Sequence, residues 1–191
     1  MASTAAAFGL KPVNLIGGQP FAGSTRQIKI ASGYGTNIFN GDVVKLVTAG
    51  TVEKDTGTTS LTPIGVFVGC TFTDPNSEQM TFKNYWPAST AASDAFAYVV
   101  DDPDVLFHIQ ADGAVAQTAL GANFAVVQGS GSTSTGVSGV SLDASTVATT
   151  NTLPMRLVDF YTGPNSSIGD SFTDCIVKWN VGHQYLNTTG I

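Results

Sequence analysis

The chain has 191 residues, of which 42% are hydrophobic, so it is long enough to bury one sizeable core or two small ones. Only 12% of the residues are charged and the formal net charge is -6, which disfavours nucleic acid and anionic membranes as partners. Because no apolar stretch approaches the roughly 20 residues that span a bilayer, we expect a soluble protein that is made in the cytoplasm of its host.

Residues 1–40 differ from the rest of the chain. Glycines and prolines interrupt regular structure there, and the only charged side chains are the cations Lys11, Arg26 and Lys29. Apolar side chains lie at irregular spacing and would be costly to leave in water. We therefore predict an extended arm that lies on its own body or on a neighbour, with the apolar side chains Phe8, Leu10, Val13, Ile16 and Phe21.

Alternating side chains predict strands further along. In residues 63–72 every second side chain is apolar, which predicts a strand with one apolar face formed by Ile64, Val66, Val68, Cys70 and Phe72. Near the end, Cys175, Val177, Trp179 and Val181 alternate with more polar residues, which predicts a half-buried strand. Cys70 and Cys175 lie within these strands, and we expect both to be buried free thiols.

A hairpin is predicted between these strands. Residues 96–100 and 105–109 are rich in β-forming side chains, and the intervening DDPD has turn chemistry. The best helix candidate, residues 89–97, is short enough to form only a turn or two.

Two segments share one layout, in which a strand, a polar excursion and a proline-started strand follow each other. The strands are residues 41–46 and 63–68 in the first segment and 121–127 and 154–160 in the second. We therefore predict an all-β fold, with an extended arm (1–40) followed by one or two small β-barrel or β-sandwich modules. The predicted bounds of the two modules are 41–115 and 116–191.

Residues that carry chemistry are scarce. His108 and His183 are the only histidines, and neither has the neighbours of a metal site or a catalytic dyad. Asp101, Asp102 and Asp104 lack the regular spacing and the glycine of a calcium loop, and turn formation already explains them. No two acids are marked as the carboxylate pair of a glycosidase. We expect no catalytic residue, no metal and no cofactor.

Four blocks of the sequence resemble virion structural proteins of tailed bacteriophages, particularly aquatic and cyanobacterial ones. The blocks are 8–13 (FGLKPV), 30–44 (IASGYGTNIFNGDVV), 85–90 (YWPAST) and 98–113 (YVVDDPDVLFHIQADG). Within that group the role most similar is that of a capsid decoration or cement protein. This resemblance implies a β-rich body on the outer capsid surface, an arm that adds to a strand of the major capsid protein, and homo-oligomers that are frequently trimers.

On this hypothesis the arm supplies the capsid-binding residues, which we predict to be Phe8, Leu10, Lys11, Phe21, Arg26 and Lys29. The alternative is a head-fibre, tail or receptor-binding module of the same virion. A sugar would then stack on an exposed aromatic ring beside polar partners, for which the candidates are Lys83, Asn84, Tyr85 and Trp86.

Overall fold

The computed structural model describes residues 4–188 and 190–191, and its fold is all-β, as the alternating pattern predicts. The strands are β1 Lys11–Leu15, β2 Arg26–Lys29, β3 Ile38–Phe39, β4 Val43–Leu46, β5 Val52–Lys54, β6 Gly65–Thr73, β7 Met80–Lys83, β8 Tyr85–Trp86, β9 Phe96–Val100, β10 Val105–Gln110, β11 Asn123–Phe124, β12 Val126–Val127, β13 Ser141–Leu142, β14 Met155–Phe160 and β15 Asp174–Trp179.

Two antiparallel sheets contain most of these strands. Sheet A has the strand order β1-β10-β15-β14-β11. Sheet B has the order β2-β9-β6-β4-β5, and β7 also pairs with β6. The small pairs β3-β8 and β12-β13 complete the fold.

Helical structure within the described residues is limited to two 3₁₀ turns, Gln117–Ala119 and Ala144–Thr146. Residues 89–97 form turns and the start of β9, so the helical turn predicted there is wrong. None of the described helices is long and apolar enough to cross a membrane.

Strand β15 confirms the prediction made from alternation up to Trp179, whereas Val181 lies beyond the end of the strand and is exposed, so its predicted inward position is wrong. Cys175, Val177 and Trp179 are buried, whereas the side chains between them are partly exposed. Both cysteines are buried free thiols, as expected.

The predicted hairpin between β9 and β10 is wrong. The turn itself forms, since the Val105 amide donates to the Asp102 carbonyl at 3.3 Å and the Asp104 amide donates to Asp102 Oδ1 at 2.8 Å. However, β9 pairs with β6 and β2 in sheet B, and β10 pairs with β1 and β15 in sheet A. The turn therefore carries the chain from one sheet to the other.

The single apolar face predicted for β6 is also wrong. The pairing of β6 with β9 shifts register between Phe67 and Gly69, which marks a β-bulge. Val66 faces one hydrophobic cluster, whereas Phe67 and Cys70 both face the other. Because the bulge inserts one residue, the alternation on its two sides is out of phase.

Residues 11–29 supply one strand to each of the two main sheets. Strand β1 pairs with β10 at the edge of sheet A, and β2 pairs with β9 at the edge of sheet B. Strands β1 and β10 thus share a sheet with β14 and β15, so the predicted bounds at 40 and 115 do not follow the sheets. Local composition reveals where strands lie, but it does not reveal which distant strands they pair with.

The described residues form two hydrophobic clusters, and sheet B lies between them. Core 1 contains Phe107 and Trp179, and core 2 contains Trp86. The adjacent residues Val66 and Phe67 point into core 1 and core 2, respectively, and both are fully buried. At Val66 and Phe67, sheet B is therefore covered by apolar side chains on both of its faces.

Candidate interaction surfaces

A buried polar junction forms around Asp42 in the turn between β3 and β4. Asp42 is fully buried and its carboxylate accepts hydrogen bonds from the Phe39 amide (2.8 Å) and from Ser138 Oγ (2.6 Å). Lys54 Nζ lies 3.0 Å from Asp42 Oδ2, and its side chain is only 11% exposed. The ammonium group and the hydrogen bonds together replace the water that the carboxylate loses on burial.

The N-terminal part of the chain enters the body beside this junction. The Leu10 amide donates to the Gly41 carbonyl at 3.0 Å, and the Gly9 amide donates to the Val140 carbonyl at 3.1 Å. Gly9 has φ +72°, and a Cβ atom there would lie 2.6 Å from the Gly41 carbonyl oxygen. Glycine at position 9 therefore permits a close backbone approach that places Leu10 in core 1.

Residues 4–8, which we call the N-terminal segment, lie outside the strands. The side-chain amide of Gln110 makes two hydrogen bonds to this segment. Its Oε1 accepts from the Ala6 amide at 2.7 Å, and its Nε2 donates to the Thr4 carbonyl at 3.2 Å. The Phe8 ring contacts His108 edge to face, with ring centres 4.8 Å apart. Lys11 Nζ lies 4.2 Å from the centre of the Phe8 ring. Residues 4–7 are exposed to solvent.

His108 packs the segment against sheet A. Its ring stacks on Tyr161 at 4.3 Å, and its Nε2 lies 3.6 Å from Asp174 Oδ2, too far for a good hydrogen bond. Burial lowers the pKa of His108, and the Asp174 carboxylate only partly opposes that effect. A neutral imidazole offers Phe8 an apolar surface.

His183 lies elsewhere and is 1% exposed. Burial lowers its pKa, and its Nε2 has no hydrogen-bond partner. Its ring lies 6.0 Å from that of Trp179 and 5.8 Å from that of Tyr185. These contacts pack the His183 ring between two aromatic side chains.

The acidic group near residue 101 already has partners within the chain. Asp101 forms an ion pair with Arg26, and Asp102 caps its own turn. Within residues 4–188 and 190–191, no group of three or more His, Cys, Asp or Glu side chains has the arrangement of a metal site.

Sheet B has an outward apolar surface that we call the aromatic face, made up of Met80, Phe82, Phe96 and Tyr98. Met80 is 77% exposed, Phe82 58% and Phe96 38%, and the rings of Phe82 and Tyr98 are 6.0 Å apart. The register places Phe82 and Phe96 on either side of Thr71, with Lys29 beyond Phe96. Residues directly opposite each other in a sheet share a face. Phe82, Thr71, Phe96 and Lys29 therefore form one row across β7, β6, β9 and β2.

The predicted capsid-binding residues do not form one site. Phe8 and Lys11 lie together, and Lys29 ends the row on the aromatic face. Phe21 packs partly buried against core 1, and Leu10 is fully buried in it. The guanidinium of Arg26 pairs with Asp101 and lies 5.6 Å from the ring centre of Tyr185. Leu10 is therefore excluded as an exposed contact in this conformation.

The sequence interpretation missed Met80 and Phe82. The only signal was their alternation with Thr81 and Lys83 in a short run, which matches a strand with one apolar face. Trp86, by contrast, is fully buried and donates from Nε1 to the Tyr34 carbonyl at 3.2 Å, so it offers no ring to a sugar. Tyr85 stacks on Phe39 with ring centres 5.5 Å apart.

Comparison of the chain with models of protein families, with curated proteins and with solved structures found no match.

Proposed function

We propose that this protein is a structural component of a phage virion, which binds the outside of the capsid and stabilises contacts between capsid subunits. The observation that carries the proposal is the attachment of the N-terminal segment. Residues 4–8 are held by the amide of Gln110 and by the packing of Phe8 on His108, whereas the next residues are fixed in the body.

Releasing this segment from the body requires little free energy. A typical intramolecular hydrogen bond contributes about 1 kcal/mol net, and an edge-to-face ring pair contributes about 1 kcal/mol beyond its buried area. Leu10 would remain in core 1 while residues 4–8 moved to a strand edge of a neighbouring subunit. Phe8 and Lys11 would then supply an apolar and a cationic contact to the shell.

The body also suits a structural role. It carries few charges for its size, and its sheets end in short edge strands that include β1 and β7. Exposed strand edges and apolar faces are typical of surfaces that meet other proteins. A standard interface of about 1,600 Å² per copy would resist separation of the shell when repeated over many symmetric copies, even if each contact were weak. Trimers remain our expectation for the assembly on the shell.

Cryo-electron microscopy of phage particles that contain this chain tests the proposal directly. We expect symmetric β-rich protrusions on the shell, with residues 4–8 lying over adjacent subunits of the major capsid protein. Density confined to the tail or to one vertex would favour the alternative of a head-fibre, tail or receptor-binding module. Absence of the chain from particles would overturn both.

A binding assay tests the N-terminal segment separately. Shells stripped of this protein are incubated with the full chain, with a form lacking residues 1–8, and with Phe8→Ala and Lys11→Ala. We expect the truncation to abolish co-sedimentation and each point variant to weaken it. Val147→Ala is a matched control, because Val147 is 47% exposed and is not one of the predicted capsid-binding residues. Unchanged binding of the truncated form would refute the role of the segment.

A further inference from the structure

Strand β7 has a free edge. Met80–Lys83 pairs with β6 on one side, and no other strand in the described part of the chain pairs with its opposite side. The exposed side chains of Met80 and Phe82 lie directly beside this edge. An exposed strand edge with apolar side chains is a template for pairing with another strand.

The hydrogen bonds around β7 show which peptide groups face outward. The Asp74 amide donates to the Gln79 carbonyl at 2.9 Å, so these two residues form a hydrogen-bonded pair. The Thr73 amide instead donates to the Asp94 carboxylate, on the side of β6 away from Met80. Antiparallel pairs alternate between bonded and non-bonded. Met80 and Phe82 therefore direct their N–H and C=O groups away from β6.

These outward groups fit a second copy of the same strand. We propose that β7 pairs antiparallel with β7 of a second copy, about a two-fold axis that passes through Thr81. Met80 then lies opposite Phe82 of the second copy, and the two residues exchange both backbone hydrogen bonds. By symmetry the same pair forms again on the other side of the axis.

Other registers fit less well. A shift of one residue would place Met80 opposite Thr81 and put the apolar side chains on opposite faces of the joined sheet. A shift of two residues in one direction would pair Phe82 with itself and leave Met80 opposite Asn84. The same shift in the other direction would pair Met80 with itself and leave Phe82 opposite Glu78. Both partners lie beyond the ends of β7. Only the register centred on Thr81 satisfies the free groups of both Met80 and Phe82.

Charge complementarity supports the same partner. The turn before β7 carries Asp74 and Glu78, and the strand ends at Lys83. Antiparallel pairing brings the acidic turn of one copy beside Lys83 of the other. It also keeps the two Lys83 side chains at opposite ends of the contact, so no like charges lie directly opposite each other.

A cysteine at the two-fold axis tests the pairing. In a non-bonded antiparallel pair the two Cα atoms lie about 4.5 Å apart, within the roughly 4.4–6.8 Å range of disulfides. Thr81→Cys should therefore form a disulfide-linked dimer on mild oxidation. The natural thiols should not interfere, since burial raises the pKa values of Cys70 and Cys175 to about 12. Thr149→Cys, in an exposed loop, gives the rate of random cross-linking.

Two further substitutions test the register in the Thr81→Cys background. Met80→Lys alone and Phe82→Glu alone should each slow dimer formation about tenfold, because the two-fold axis removes the cross-strand pair twice. The combined variant should recover most of the rate, since each new lysine lies opposite a new glutamate. Circular dichroism of every variant establishes that the sheet is intact.

The cross-linking rates of these variants distinguish the proposed pairing from random contact. Dimers that form faster than in Thr149→Cys, slow with each single substitution and recover with both, support the proposed pairing. Cross-linking of folded Thr81→Cys that is no faster than that of Thr149→Cys would overturn it. The shell-binding function and the trimer expected on the shell can both fail without affecting this result, because the assay tests a separate two-fold contact in the isolated protein.

Discussion

Replacement of Asp42 by alanine should be among the most damaging single substitutions in this protein. The carboxylate is fully buried, and its removal leaves Lys54 without a counter-charge at 11% side-chain exposure. It also removes the acceptor for Ser138 Oγ and the Phe39 amide. Breaking one side of a buried ion pair costs about 3–5 kcal/mol. We expect a loss near 4 kcal/mol, a large share of the roughly 5–15 kcal/mol that stabilises a typical domain.

Urea unfolding followed by tryptophan fluorescence measures this loss. Trp86 lies in core 2 and Trp179 in core 1, so the signal reports on both clusters. The double variant Asp42→Ala/Lys54→Met should be more stable than Asp42→Ala alone, because it leaves no unpaired ammonium group. Asp104→Ala, at an exposed turn position, should change stability by less than about 0.5 kcal/mol. A loss below about 1 kcal/mol for Asp42→Ala would refute the reasoning.

Three further predictions concern the N-terminal segment and the residues that hold it on the body. Gly9→Ala should lower the free energy of unfolding, measured in urea, by about 2 kcal/mol more than Gly18→Ala does. Both glycines have positive φ, but only the new Cβ at position 9 meets other atoms. Equal losses in the two variants would contradict the close approach. Gln110→Ala should speed amide exchange in residues 4–8 about fivefold without affecting Leu10, as seen by mass spectrometry, and uniform exchange would contradict local release. Burial lowers the pKa of His108 below its ordinary 6.5, so protonation favours the unfolded chain and stability should fall as pH drops below 6.5. His108→Gln should lose less stability than the natural chain over that interval, and an identical pH profile would exclude His108 as a contributor.

Local sequence patterns predicted the elements of this fold better than their partners. The strand at 174–179 follows from its alternating side chains, because one face of it meets a core. The DDPD turn also formed as its chemistry indicates, yet β9 and β10 pair with other strands. Turn chemistry acts over four residues, whereas the choice of partner depends on the packing of distant segments.

The candidate surfaces were harder to predict for the same reason. Leu10 and Phe8 are two residues apart in an irregular stretch, but one lies in core 1 and the other on the surface. The contact between Gly9 and Gly41 decides this difference, and no local pattern reports it. Met80 and Phe82 lie in a run too short to distinguish an exposed apolar face from a buried one.

Sheet A pairs strands that lie far apart in the sequence, and this affects how the protein folds during synthesis. Strand β1 lies near the start of the chain and pairs with β10, which in turn pairs with β15 near its end. The strands of this sheet therefore cannot assemble fully while the ribosome is still making the later ones. Proteins dominated by such distant pairings fold over roughly milliseconds to seconds. During that interval the nascent strands present unpaired edges, so high-level expression should depend more on chaperones and temperature than the native stability alone suggests.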